Sequence, residues 1–89
     1  MKYYVYLLIS LTLKKKLISY VGYTNNLKKR LTLHNNSKGA KFTRGKKWYL
    51  AYSKKYVKKS IAMKEEYKLK KDFKKRNRIK NFFLTKHDI

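Results

Sequence analysis

The 89 residues carry 26 lysines and arginines against four acidic side chains, a formal net charge of +22 that calls for a polyanionic partner to offset self-repulsion. With 43% apolar residues, nine Tyr, four Phe and one Trp, the chain is too hydrophobic for a disordered polycation, and its length fits one folding unit over 1–89. The absence of cysteine excludes disulfides, zinc–thiolate clusters and a thiol nucleophile. A/T-rich codon usage is a second source of Lys, Asn, Ile, Tyr and Phe, but it leaves the shortage of Glu and Asp unexplained because their codons are A/T-rich too.

The N-terminal run YYVYLLISL is too short to span a bilayer and precedes no small-residue cleavage site, so neither membrane helix nor signal peptide is expected. Within it Tyr4, Tyr6 and Leu8 alternate with Val5, Leu7 and Ile9, two apolar faces that suit a central strand. Leu17 to Tyr23 reads as its hairpin partner, across a connection without Gly, Asn or Asp to specify a tight turn. Thr24, Asn25 and Asn26 offer N-caps for a helix to about Asn36. A basic loop, Lys38 to Lys47, leads to a third strand over Trp48 to Val57. Ser60 is placed to cap a second helix to about Lys74, and a shorter third helix from about Asn77 to Thr85 is expected to lay Ile79, Phe82 and Phe83 on the core. This order predicts an α+β fold, a small three-stranded antiparallel sheet flanked by about three helices.

Two charged residues break the helical pattern. At about 100° per residue, Leu27, Leu33 and His34 lie within about 60° of Arg30, which places a guanidinium on an apolar face. On the second helix Ala62, Met63, Leu69 and Phe73 fall within about 60° of Glu66, so Glu66 points inward and Glu65 outward. Periodicity leaves two readings open: a partly buried Arg30–Glu66 salt bridge without chemistry, or two parts of an active site. His34 alone reads as a packing histidine, and the tyrosines as strand core.

Taken together, Tyr4-Val5-Tyr6, Tyr20-Val21-Gly22, Thr24, Asn26, Leu27, Arg30, His34-Asn35 and Glu66-Tyr67 resemble the GIY-YIG nuclease family across nearly the whole chain. The stretch Lys38 to Gly45 and the run Ser60 to Tyr67 resemble its small stand-alone bacterial members. The resemblance implies hydrolysis of phosphodiester bonds with one Mg²⁺ or Mn²⁺ ion. It makes Glu66 the metal ligand and Arg30 the residue that neutralises the scissile phosphate. Tyr6 and Tyr20 would share a sheet face, with Tyr20 preferred for activating water, which requires a lowered pKa. His34 would assist proton transfer or hold a phosphate. Tyr4 replaces the first motif's glycine, and Trp48 falls where the small members often carry proline.

The leading expectation is a metal-dependent DNA endonuclease of little sequence specificity, in repair or recombination, cytoplasmic and nucleoid-associated. DNA is favoured over RNA, no membrane is involved, and a protein partner would supply target specificity. The alternatives are a non-catalytic or partner-dependent nucleic-acid-binding module on the same fold, and an RNA-binding protein of ribosomal type. Affinity is assigned to Lys38, Lys41, Arg44, Lys46 and Lys47 by the cleft, with Lys14 to Lys16 and the tail around Lys74 to Lys80.

Overall fold

The computed structural model describes residues 2–12 and 16–87, so the charge expected at Lys14 and Lys15 lies outside the described residues. Strand β1 (Tyr3–Leu11) is central, between β2 (Leu17–Thr24) and β3 (Tyr49–Tyr56), and both neighbours run antiparallel to it. Helix α1 (Leu27–Asn35) follows β2, a 3₁₀ turn (Lys41–Thr43) interrupts the basic loop, and α2 (Lys59–Lys71) and α3 (Phe73–His87) follow β3. This is the expected α+β arrangement.

The two apolar faces of β1 explain its central place. Val5, Leu7 and Ile9 pack with Val21, Ala62, Leu69 and Phe83 beneath α2 and α3. Tyr6 and Leu8 pack on the other face with Trp48, Tyr20, Leu27 and Leu31. Between Leu7 and Leu8 the pairing with β3 skips Ala51, so one extra residue bulges from that strand. Ala51 and Tyr52 accordingly both pack toward the same core.

Helix α1 starts where its cap predicts: the Asn26 side chain accepts the Lys29 N–H at 3.1 Å. Its end is a Schellman turn, with Ser37 N–H donating to the His34 carbonyl and Lys38 N–H to the Leu33 carbonyl. Ser37 takes the left-handed φ of 59° that glycine usually supplies there, and its hydroxyl accepts the Gly45 N–H at 3.0 Å.

The second half of the chain differs from expectation in three ways. Helix α2 begins at Lys59, with Lys58 as an N-cap that makes no side-chain bond, so Ser60 lies inside the helix and caps nothing. It ends at Asp72, whose side chain accepts the Lys75 N–H at 3.0 Å and starts α3 at once. That one residue makes α3 longer than α2 and begins it four residues before Asn77. Because α3 packs beside β3, with Phe83 against Tyr49 at 6.2 Å, it buries only a narrow stripe. Phe83 and Ile79 fall on that stripe, whereas Phe82 is 68% exposed. Met63 and Phe73 are exposed as well: the buried stripe of α2 is Ala62 and Leu69, and the break at Asp72 removes Phe73 from its helical register.

The start of the third strand is fixed to α1 by one side chain. Asn35 accepts the Trp48 N–H at 2.6 Å and donates to the Trp48 carbonyl at 3.2 Å. A proline at position 48 has no N–H to offer, so the tryptophan is accommodated by using the bond that proline lacks. Replacing Asn35 by Ala removes both bonds and is expected to cost about 1–3 kcal/mol in urea unfolding followed by Trp48 fluorescence. Ser60→Ala is expected to change stability by less than about 0.5 kcal/mol in the same measurement, because no cap is lost.

Candidate active site

Side-chain alternation puts Tyr20 and Gly22 of β2 on the same face as Tyr6 and Leu8 of β1, and the register sets Gly22 directly opposite Tyr6. A Cβ at Gly22 would stand 2.6 Å from the Tyr6 Cζ, so this position must lack a side chain for the phenol to lie where it does. Beside it opens a cleft of about 380 Å³, whose walls include Tyr6, Tyr20, Asn25, Arg30, Lys59 and Glu66.

Glu66 reaches this cleft from the helix on the opposite face of the sheet. Its side chain is 17% exposed against 33% for Glu65, in keeping with its place on the stripe of Ala62 and Leu69. The carboxylate lies 3.4 Å from the Lys70 ammonium one turn on. Among the described residues no Arg30–Glu66 ion pair forms; the two share a cleft without neutralising each other.

Behind the cleft lies His34, 1% exposed. Its Nε2 is 3.0 Å from the Tyr6 hydroxyl and its Nδ1 is 2.8 Å from the Thr43 Oγ1. Thr43 donates its single hydroxyl proton to the Ala40 carbonyl at 2.8 Å, so it accepts from His34, and Nδ1 carries the imidazole proton. Nε2 is then left as an acceptor, and Tyr6 donates to it. On the cleft side the phenol oxygen can accept, and Arg30 is placed to donate to it. Gly39 lies over the imidazole, and a Cβ there would stand 2.8 Å from Cε1.

Burial, foremost, and the charge of Arg30 hold His34 below its usual pKa of 6.5, so the imidazole is neutral. Tyr6 is pushed well above the ordinary phenol range by burial first, then by Tyr20, with Arg30 pulling the other way. Tyr6 therefore keeps its proton at neutral pH. Tyr20 is the more open ring: it lies 5.1 Å from His34, 6.5 Å from Tyr6, and stacks on Phe42 at 6.3 Å.

Tyr6, Tyr20, Arg30 and Glu66 thus line one cleft, with His34 behind it, hydrogen-bonded to Tyr6 and in ring contact with Tyr20. The cations Lys38, Lys41, Arg44, Lys46 and Lys47 do not line it. Lys46 and Lys47 instead border a groove of about 580 Å³ at the far end of β1, with Ser10, Thr12 and Lys16, because the loop crosses the sheet to reach β3. Lys59 is a cleft residue that the sequence pattern did not single out. Its signal is the stripe Lys59, Ala62, Glu66, Leu69, whose members follow one another at three or four residues, about one turn, along α2.

No group of three or more His, Cys, Asp or Glu converges among the described residues, so an all-protein metal cage is absent there. A single enclosed carboxylate in an open cleft fits a hard cation that keeps water and takes phosphate oxygens as its other ligands. Among the described residues no helix is long and apolar enough to cross a membrane.

Residues 2–80 match the profile of the GIY-YIG catalytic domain. The chain belongs to the GIY-YIG family. Its nuclease-type catalytic domain accounts for the pairing of the two tyrosine motifs on adjacent strands. Among relatives, the UPF0213 protein OB0043 of Oceanobacillus iheyensis is 54% identical over 52 residues, 57% of this chain and 60% of that protein. A UPF0213 protein of Bacillus pumilus is 48% identical over 52 residues, 57% of this chain and 53% of its own length. The GIY-YIG chain thus spans between half and two thirds of these relatives. A UPF0213 protein of Lactiplantibacillus plantarum is 39% identical over 92 residues, covering 99% of this chain and 83% of that protein. The solution NMR structure of UPF0213 protein BH0048 from Bacillus halodurans has a TM-score of 0.47 and 31% identity, over 92% of this chain and 85% of that one.

Two outcomes are expected from this GIY-YIG site. His34 has a lower pKa folded than unfolded, so the unfolded chain binds the proton first as pH falls. Its contribution is complete above the usual 6.5 and is lost as pH drops below it; the urea midpoint should fall between pH 7.5 and 5.5, and less steeply in His34→Gln. Gly22→Ala forces the Tyr6 ring out of place and is expected to cost about 1–3 kcal/mol in the same unfolding measurement.

Proposed function

We propose that the chain is a metal-dependent nuclease that hydrolyses phosphodiester bonds, with DNA as the favoured substrate and little sequence preference of its own. The observation that carries this reading is the cleft that gathers Tyr6, Tyr20, Arg30, Lys59 and Glu66, with the Tyr6–His34–Thr43 hydrogen-bond chain behind it. A binding module has no use for an enclosed carboxylate opposite a guanidinium, since the carboxylate repels phosphate.

Glu66 would hold one Mg²⁺ or Mn²⁺ ion. When bound, the ion supplies Lewis-acid stabilisation of charge on the phosphate. Arg30 and Lys59 present positive charge to the non-bridging oxygens of the phosphate. A water in the cleft donates to the phenol oxygen of Tyr6. As that water attacks phosphorus, the P–O bond to one sugar oxygen breaks. Tyr6 takes the water's proton and passes its phenol proton to Nε2 of His34, and the departing sugar oxygen takes a proton from solvent at the open mouth of the cleft. The tyrosine is thus never required to exist as a phenolate, which its raised pKa forbids. Charging His34 costs energy first through its burial and then through Arg30, and the second cost falls once phosphate charge occupies the cleft.

This route gives to Tyr6 the part that the family resemblance assigned to Tyr20, because Tyr6 holds the hydrogen bond to His34. Tyr20 is left to shape the wall of the cleft. His34, being buried, acts as a positioning group and proton acceptor through Tyr6 and does not touch phosphate. Specificity for a target would come from a protein partner, and affinity from the basic loop, so binding falls steeply with salt.

The test compares cleavage of single-stranded, duplex, flap and junction DNA and of RNA by wild type, Glu66→Ala, Tyr6→Phe and Tyr20→Phe, each with Mg²⁺, Mn²⁺ or EDTA. Expected are no cleavage in EDTA or by Glu66→Ala with binding retained. A drop of about 10²–10⁴-fold in rate is expected for Tyr6→Phe, and a smaller one for Tyr20→Phe. Tight binding without cleavage of any substrate would leave a nucleic-acid-binding module in place of an enzyme.

A further inference from the structure

Phe42 has no place in the core. It is 51% exposed, yet the segment that carries it is held firmly. The next residue, Thr43, is fully buried against His34 and Ala40, and its carbonyl accepts the Trp48 indole N–H at 2.9 Å. The Phe42 ring lies nearly parallel to Tyr20, at 20° and 6.3 Å, and Tyr20 is a wall of the cleft. Trp48 backs it further at 6.1 Å.

The surroundings of this ring are cationic. The Lys46 ammonium lies over the ring face, 5.3 Å from its centre, and donates to the Phe42 carbonyl at 3.1 Å, so a base that stacks there displaces the ammonium toward the nucleotide's own phosphate. Lys41 and Arg44, on either side in sequence, are exposed. An apolar protein partner covering Phe42 would bury these cations without counter-charge. A polyanion without rings would use the cations and leave the aromatic face wet. A nucleotide satisfies both, its base on the ring and its phosphates among the lysines.

Bases inside a continuous duplex are covered on both faces by their neighbours. Only an unpaired or terminal base offers a free face to a rigid ring. We propose that Phe42 is a stacking platform for one unpaired base next to the phosphate held in the cleft. The chain therefore engages nucleic acid that is single-stranded, frayed or flapped at that point in preference to continuous duplex. The inference rests on reading the cleft as a phosphate site, and it is tested by binding alone, so the two can fail separately.

The experiment measures affinity in EDTA, at one salt concentration, for three labelled probes: a DNA single strand, the same strand in blunt duplex, and that duplex with a short unpaired end. The proteins are wild type, Phe42→Leu, which keeps an apolar contact with Tyr20 and lacks a π face, and Phe42→Trp, which keeps the π face. Thermal melting confirms that each is folded. Wild type and Phe42→Trp are expected to prefer the single strand and the unpaired end over blunt duplex. Phe42→Leu is expected to lose about 5- to 150-fold on those two probes and little on the duplex. Equal loss on all three probes, or an unchanged ratio between them, overturns the platform. Cleavage is scored separately with Mg²⁺. If wild type cuts nothing while the Phe42 ratio shifts, the nuclease reading falls and the platform stands; if wild type cuts and the ratio does not move, the platform falls and the nuclease stands.

Discussion

A buried neutral imidazole has one donor nitrogen and one acceptor nitrogen, and the arrangement around His34 follows from that constraint. Thr43 on one side spends its proton on the Ala40 carbonyl, so Nδ1 must donate. Tyr6 on the other side must then donate to Nε2. Three separate parts of the chain, β1, α1 and the basic loop, are joined through this single ring. Gly39 is needed to let the loop lie over it, and Gly22 to let the Tyr6 ring reach it. The cleft inherits its geometry from groups that never face solvent.

The abundance of positive charge is managed by aromatic faces more than by acids. Only two ion pairs, Glu65 with Lys68 and Glu66 with Lys70, occur among the described residues, both within α2. Cations instead settle over rings, as Lys71 does over Tyr67 at 4.5 Å, Lys75 over Tyr52 at 5.3 Å and Lys54 over Tyr56 at 5.7 Å. A ring quadrupole attracts an ammonium without giving it a full counter-charge. The lysines are thereby held near the surface while remaining available to phosphate.

Much of this was legible in the sequence where a residue acts through its own element. The two-sided β1, the Asn26 cap and the inward angle of Glu66 all follow from local periodicity or local hydrogen bonding. The failures occur where a residue serves two elements at once. Asp72 ends α2 and caps α3, a double duty that moves the start of the third helix and exposes Phe73. His34 read alone as a packing histidine, and it is indeed buried. What no spacing displayed is that its partners are Tyr6 and Thr43, residues 28 and 9 positions away. Lys59, one lysine among many, carries little information in the sequence until its stripe along α2 is traced.

Surface loops ordinarily accept added or missing residues, since nothing but connectivity depends on their length. The 3₁₀ turn Lys41–Thr43 removes that freedom here. Phe42 faces outward and Thr43 inward on consecutive residues, and the second of them decides which nitrogen of His34 bears its proton. A single insertion would rotate the outward residue into the interior and carry the hydroxyl away from the imidazole together with it. Length in this part of the loop is therefore tied to an acid–base requirement, and an indel between Gly39 and Thr43 would disturb the protonation of Tyr6 from a distance.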